Sequence, residues 1–317
     1  MRLTLSIPSF GPFFPAGRLH EVIDLARRAE AAGVDTVIVP DHVVMSEHTE
    51  AYEWGPFPFP IEVPWLEPLT VLAAIAGATS RVRLATGILI APLRPAIVLA
   101  KTISTLDVLS QGRVELGVGV GWQREEYDAA GLDFAKRAQR LDDTLAACRV
   151  LWKDSPASFA SKTVSFEKIW CEPRPLQPGG VPVWFSGTLI QRNIDRIVRW
   201  GDGWIPIMTA TRTDLADGAK LLADAFAKAG RDPKTLKVRG SLELKMGANG
   251  RPDLAATLAG AHELAAAGAT DLQLGMLAFV RKPEHQDAFF AELKERWAAL
   301  QVSRSEPQAS EGPKAGR

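Results

Sequence analysis

Short continuous apolar runs alternate along this chain with stretches in which apolar residues recur every three to four positions. Leu3–Pro8 predicts a strand. Arg18–Ala32 predicts a helix with Leu19, Val22, Ile23, Ala26 and Ala29 on one face and Gly33 as its stop. Thr36–Pro40 is apolar and β-branched, the pattern of a strand buried on both faces, and it runs straight into Asp41 and His42. Further helices are predicted at Glu67–Thr79, Pro95–Leu109, Gln123–Gly131, Ala135–Trp152, Leu189–Trp200, Asp214–Ala229, Asp253–Ala267 and Pro283–Leu300. The strands between them are Val82–Ala91, interrupted by Gly87, a segment within Gln111–Trp122, then Val181–Ser186, Gly203–Pro206, Leu236–Lys245 and Asp271–Gly275. Eight strands, each followed by helix over roughly 300 residues, predict a (β/α)8 TIM barrel with insertions.

Two stretches break the rhythm. Ser46–Pro64 is rich in proline and aromatics and has no period, as functional long loops often do. It follows a strand's C-terminal end, the side on which such barrels carry their active sites. Lys153–Gly180 is a second insertion, with one short strand predicted at Thr163–Phe166. The barrel domain is taken as residues 1–302. Ser303–Arg317, polar and rich in Ser, Pro and Gly, is expected to be a disordered tail.

Composition narrows the partners. The 317 residues carry 37 basic and 37 acidic side chains, so no charge excess points to nucleic acid. Cys148 and Cys171 form no C-x-x-C pair, and Cys148 reads as a small core residue. No apolar run reaches membrane-spanning length, and the first residues read as a strand instead of a signal peptide, so a cytoplasmic location is expected. No metal site is expected.

Candidate chemistry collects where strands hand over to loops. In Gln111–Trp122 (QGRVELGVGVGW) the dinucleotide fingerprint fails, because its third glycine position is Trp122. The run is instead a buried strand, its glycines letting a flat ring approach or simply easing internal packing. His42 is the one histidine at a strand end, fit for acid or base work near neutral pH. His20, His48, His262 and His285 are assigned to solvent. Asp41 either orients His42 or caps the following loop. Ser186-Gly187-Thr188 before a helix suits a phosphate, or an ordinary N-cap. Trp54, Trp65 and Trp122 are candidates to line an apolar cleft, whereas Trp152, Trp200 and Trp297 are expected to pack helices. No H-E-x-x-H, P-loop or hydrolase triad order is present.

Four segments carry a resemblance: Val39–Val43 (VPDHV), Ser80–Tyr127, Val181–Thr188 (VPVWFSGT) and Trp200–Pro206 (WGDGWIP). They resemble the luciferase-like monooxygenase family, the bacterial-luciferase superfamily of flavin- and deazaflavin-dependent enzymes. The resemblance implies a non-prolyl cis peptide at Gly87-Ile88 behind the cofactor ring, a phosphate held by Ser186, Gly187 and Thr188, and His42 at the ring's reacting edge. It places Asp41 and Gly119 among the cofactor-binding residues, the strand glycines forming a floor for the ring. The chain looks most similar to the branch that uses the deazaflavin F420, with FMN the alternative. The sugar-phosphate dehydrogenases of that branch carry a glutamate where this chain has Trp122. That favours a small, apolar, flat substrate (a carbonyl, alcohol or activated alkene) with Trp122 as a pocket wall. Glu125 and Glu126, one turn on, could serve in place of that acid, or lie on a solvated helix face. An FMNH2-dependent monooxygenase with a partner reductase and a non-catalytic flavin-binding protein are the other readings. A homodimer through the second and third helices is implied, with Ala73, Ala74, Ala76 and Ala78 permitting close packing.

Overall fold

The computed structural model describes residues 1–15 and 17–302; the expected tail at 303–317 lies outside them. Eleven strands follow in chain order: β1 (Arg2–Ser6), β2 (Thr36–Val39), β3 (Arg83–Thr86), β4 (Leu89–Ile90), β5 (Val114–Gly119), β6 (Ala157–Ala160), β7 (Ser165–Ile169), β8 (Val183–Ser186), β9 (Gly203–Ile205), β10 (Lys237–Ser241) and β11 (Asp271–Gly275). Eight of them close a parallel barrel. β1 pairs with β2 and β11, β3 pairs with β2 and β5, and β8, β9 and β10 complete the ring from β5 to β11. β4 continues β3 beyond a break and also pairs with β5. The fold is the predicted (β/α)8 barrel.

Helices surround it: α1 (Val22–Ala31), α2 (Pro68–Ala78), α3 (Ala96–Leu109), α4 (Arg124–Ala129), α5 (Arg137–Lys153), α6 (Gln191–Trp200), α7 (Arg212–Lys228), α8 (Leu254–Ala259), α9 (Ala261–Ala266), α10 (Met276–Phe279) and α11 (Gln286–Val302). Local chemistry sets their ends. Thr211 and Asp214 form a reciprocal capping box at α7, and Glu67 accepts the Thr70 N–H at 2.7 Å before Pro68 opens α2. The predicted helix Asp253–Ala267 divides at Gly260 into α8 and α9. The second insertion holds an antiparallel hairpin, β6 with β7, in place of the single strand expected at Thr163–Phe166; Thr163 lies in its turn. Its N–H and hydroxyl both bond to Asp143 of α5, which tethers the hairpin. Cys148 is buried as predicted, and burial pushes its thiol up to about 12. Trp152 and Trp297 are buried among the helices.

The end of the barrel away from the strand-to-helix loops is charged inside. Glu115 of β5 is fully buried. It meets Arg2 of β1 at 2.7 Å and Arg83 of β3 at 2.6 Å, and Arg239 of β10 lies 3.9 Å away. Arg2 also reaches Asp271 of β11. Arg239 is 1 % exposed and stacks its guanidinium 4.7 Å over Trp184. Burial disfavours the Glu115 charge, but the arginines overcome it and hold the carboxyl below its usual range. The network joins five strands across the core. Nearby, Arg113 donates to the carbonyls of Ala76, Thr79, Val82 and Ser110, fastening the end of α2 to β5. Among the described residues no helix is long and apolar enough to cross a membrane.

Candidate active site

The two residues that follow β2 and Pro40 diverge in role. Asp41 is buried and spends both carboxylate oxygens on protein: it pairs with Arg94 through both, at 2.9 Å from Oδ1, and Oδ2 accepts the Ile90 N–H at 2.8 Å. Burial raises its pKa, against the pull of Arg94. A buried carboxylate needs its partners, and these commit it to pinning β4 and, through the Arg94–Glu67 pair at 3.0 Å, the start of α2.

His42 is 11 % exposed in its side chain, and its Nδ1 lies 3.1 Å from Oε2 of Glu126. The other oxygen of Glu126 accepts the Val43 N–H at 2.8 Å. Glu126 is 2 % exposed, which overturns the solvated helix face expected for it. Its neighbour Tyr127 donates to the Val120 carbonyl and fixes α4 on the end of β5. With the carboxylate accepting from Nδ1–H, Nε2 is the ring nitrogen left to exchange a proton. Glu126 is one of the two acids that the sequence offers for the site, marked there by a tyrosine beside it one turn after Trp122.

Rings enclose His42. Trp65 lies 4.7 Å away, Trp122 5.8 Å and Phe57 6.5 Å between centroids, all edge-to-face. Tyr52 and Phe57 of the Ser46–Pro64 segment contact Trp122 at 5.4 and 5.7 Å. Tyr52 also meets Trp54, itself 36 % exposed, at 5.0 Å. Phe10 stacks on Trp65 at 4.1 Å. The segment is rooted by Gln123, whose amide donates to the Ser46 carbonyl at 3.2 Å. Trp65 and Trp122, two of the rings expected to line a cleft, thus pack against His42, and Tyr52 links Trp54 to Trp122.

The Gly87-Ile88 peptide is cis, as the resemblance implies. It separates β3 from β4, and the glycines of β5 receive it. A Cβ on Gly117 would stand 2.2 Å from the Thr86 carbonyl oxygen, and one on Gly119 would stand 2.8 Å from Cδ1 of Ile88. Thr86 and Ile88 occupy the space that these glycines leave. Gly119 shapes the site by seating Ile88.

Ser186 ends β8, and Gly187 follows with φ +122, a conformation that side chains rarely adopt. The Gly187 N–H donates to Ile205 at 3.1 Å and its carbonyl accepts from the Trp204 indole at 2.8 Å. The helix expected at Leu189 starts two residues later, with Ile190 at the cap and no side chain capping it. The ordinary N-cap reading of Ser186 and Thr188 is thereby removed. Asn193 instead bonds back to the Thr188 carbonyl at 3.0 Å. Two hydroxyls beside an uncapped helix start fit a phosphate.

The chain has relatives among known proteins. An uncharacterized protein of Mycobacterium tuberculosis is 37% identical over 211 residues, covering 65% of this chain and 74% of that protein. An F420-dependent glucose-6-phosphate dehydrogenase of Amycolatopsis mediterranei is 30% identical over 205 residues, 63% of this chain and 55% of that enzyme. The crystal structure of the monooxygenase RslO1 from Streptomyces bottropensis superposes with a TM-score of 0.74 at 20% identity, over 95% of this chain and 100% of that one. The model of the luciferase-like monooxygenases matches residues 8–314, and the chain belongs to that family.

Proposed function

We propose that the protein is an F420-dependent oxidoreductase acting on a small, apolar carbonyl, alcohol or activated alkene. The observation that carries the reading is the His42–Glu126 pair, walled by Trp65, Trp122 and Phe57 beside the Gly87-Ile88 bulge. Ser186, Gly187 and Thr188 would hold the cofactor phosphate and Ile88 would back its ring. The bound cofactor supplies the two-electron chemistry, as hydride donor or acceptor. In the carbonyl-reducing direction the imidazolium form of His42 gives its Nε2 proton to the substrate oxygen and ends neutral; in the oxidising direction the neutral ring takes that proton on Nε2. Glu126 holds the imidazole so that Nε2 is the nitrogen available. The rings exclude water and leave Trp122 where a sugar phosphate would want an acid, which favours a flat apolar substrate.

The F420-dependent relative supports this cofactor. The family also contains a monooxygenase among its structural neighbours, so the second reading is an FMNH2-dependent monooxygenase served by a separate reductase. Titrating the purified protein with F420 and with FMN separates them. Binding of F420 at micromolar or tighter Kd is expected. Tight binding of FMN alone, with oxygen uptake when reduced FMN is supplied, overturns the first reading.

We further propose a homodimer through α2 and α3. Ala73, Ala74 and Gly77 are exposed along α2, and Ile97, Val98 and Leu109 along α3. Ala76, expected at that interface, is buried in the core instead. Sedimentation velocity is expected to give a dimer for the native chain and a monomer for Ala74→Arg; a native monomer at tens of micromolar sinks the idea.

A further inference from the structure

The Trp65 ring stacks on Phe10 at 4.1 Å with the planes 4° apart, and its edge-to-face contact with the His42 imidazole is 4.7 Å between centroids. Two backbone bonds hold the segments together: the Gly11 N–H donates to the Pro64 carbonyl and the Leu66 N–H to the Ser9 carbonyl, each at 3.0 Å. No hydrogen bond uses the indole N–H. Nε1 is shielded from solvent and has no acceptor among the described residues. Trp152 and Trp204 bond theirs to the Ala100 and Gly187 carbonyls, at 3.1 and 2.8 Å. Trp184 also lacks an acceptor, but its ring lies under the Arg239 guanidinium, at the charged end of the barrel.

Two more polar atoms are in the same condition. Ser9 is 1 % exposed and Gln123 0 %, and Oγ of the first and Oε1 of the second have no partner. Ser9 precedes Phe10, and Gln123 follows Trp122, whose ring lies 5.8 Å from that of His42. Unmet hydrogen-bonding capacity thus gathers on the segments that enclose the imidazole. Buried polar groups are almost always paired, and an exception at such a place calls for a partner that binds there. Of the three residues, Trp65 is the one whose own ring touches His42. It lies outside the four segments that carry the family resemblance.

We propose that Trp65 Nε1 donates a hydrogen bond to the oxygen of a carbonyl or alcohol substrate, the same oxygen that His42 faces through Nε2. The inference rests on the reading of the protein as an oxidoreductase that uses His42. An indole N–H only donates, so it suits an oxygen that is a carbonyl in one direction and a hydroxyl in the other. The carbonyl oxygen has two lone pairs, one for Trp65 and one for the His42 imidazolium. The hydroxyl accepts from Trp65 while it gives its own proton to the neutral imidazole. A buried donor of this kind discriminates against an analogue without the oxygen, which narrows the substrate to a ketone, an aldehyde or their alcohols and sets the plain alkene aside.

Nitrogen–proton correlation spectra of the indole groups, taken on the full chain without cofactor, test this. Nine indole peaks are expected, and the one that disappears in Trp65→Phe is that of Trp65. Cyclohexanone is titrated against methylenecyclohexane, its isostere without the oxygen. The Trp65 peak is expected to move downfield with the ketone and to stay in place with the alkene. Trp65→Phe keeps an aromatic ring against Phe10 and removes the donor. It is expected to weaken cyclohexanone binding about two- to tenfold and to leave methylenecyclohexane binding unchanged. With F420 present, kcat/KM for the ketone is expected to fall by at least the same factor. If Trp65→Phe misfolds, the native spectra still decide, because one indole peak must respond to the ketone alone. No such peak, or an equal response to both ligands, overturns the proposal. So does a Trp65→Phe protein that binds and reduces the ketone like the native chain, and ketone reduction by the native chain then leaves the oxidoreductase reading standing. A ketone-specific Trp65 shift in a protein that turns over no carbonyl or alcohol with F420 supports the oxygen site and refutes the F420 reading.

Discussion

His42→Ala is expected to lower turnover by about 10²–10⁴-fold, the usual worth of a positioned acid–base group, while cofactor affinity changes by less than about threefold. The asymmetry follows from geometry. His42 contacts Glu126 and three rings, and the groups proposed to hold the phosphate lie at the end of β8 and in the loop before α6, remote in sequence and on other strands of the barrel. Steady-state kinetics with a panel of small ketones and secondary alcohols, together with cofactor titration, reads both quantities. Glu126→Gln is the companion variant. An amide can still face Nδ1, but as a donor it favours the wrong tautomer, so kcat is expected to drop about tenfold or more with KM little changed. Glu126→Asp should recover part of the loss if charge and acceptor character matter. A His42→Ala protein with full turnover refutes the proton role, and one that binds cofactor while native and variant alike turn nothing over supports a binding protein.

The second large effect concerns stability. Glu115→Leu is expected to cost about 3–5 kcal/mol, because it strands buried guanidinium charge. Arg2 keeps Asp271 and Arg83 is 26 % exposed, but Arg239 at 1 % has nowhere to turn. Adding Arg239→Met should return much of the loss, since an apolar pair in place of a buried ionic one is often neutral. The effect depends on pH with a definite sign. The folded-state pKa of Glu115 lies below the ordinary value, near 4.3 for an unfolded chain. Its stabilisation is thus complete above that value and disappears as pH falls through the lower folded pKa. Denaturation midpoints of native and variant should differ fully at pH 7 and converge in acid. A variant as stable as the native chain at pH 7 would show that the network contributes nothing.

The barrel was legible because its elements obey two clear periods, and the strand-end rule then pointed to His42 and Trp122 from position alone. The resemblance added the Gly87-Ile88 bulge. What stayed hidden was the pairing of polar groups across distant segments. Glu126 reads like any acid in a helix's first turn; only the seating of Tyr127 on Val120 turns it inward. Asp41 stands beside His42, so proximity suggested a shared task, whereas Arg94, 53 residues on, claims it. Gly117 and Gly119 signalled a close approach, and the structure supplies it with backbone and Ile88 in place of a ligand. Glu115 did carry a signal. A carboxylate at a core position of a glycine-rich strand calls for cations on other strands, and arginines stand within Arg2–Ser6, Arg83–Thr86 and Lys237–Ser241.

Asp41 and His42 are neighbours in sequence, yet one clamps Ile90 just past the bulge and the other presents an imidazole to the cleft. The segment proposed to back the ring and the proposed proton partner are consequently indexed to each other by a single peptide unit. Their separation is set like two marks on one ruler, and loops that vary freely around the barrel mouth can reshape what enters without moving either mark.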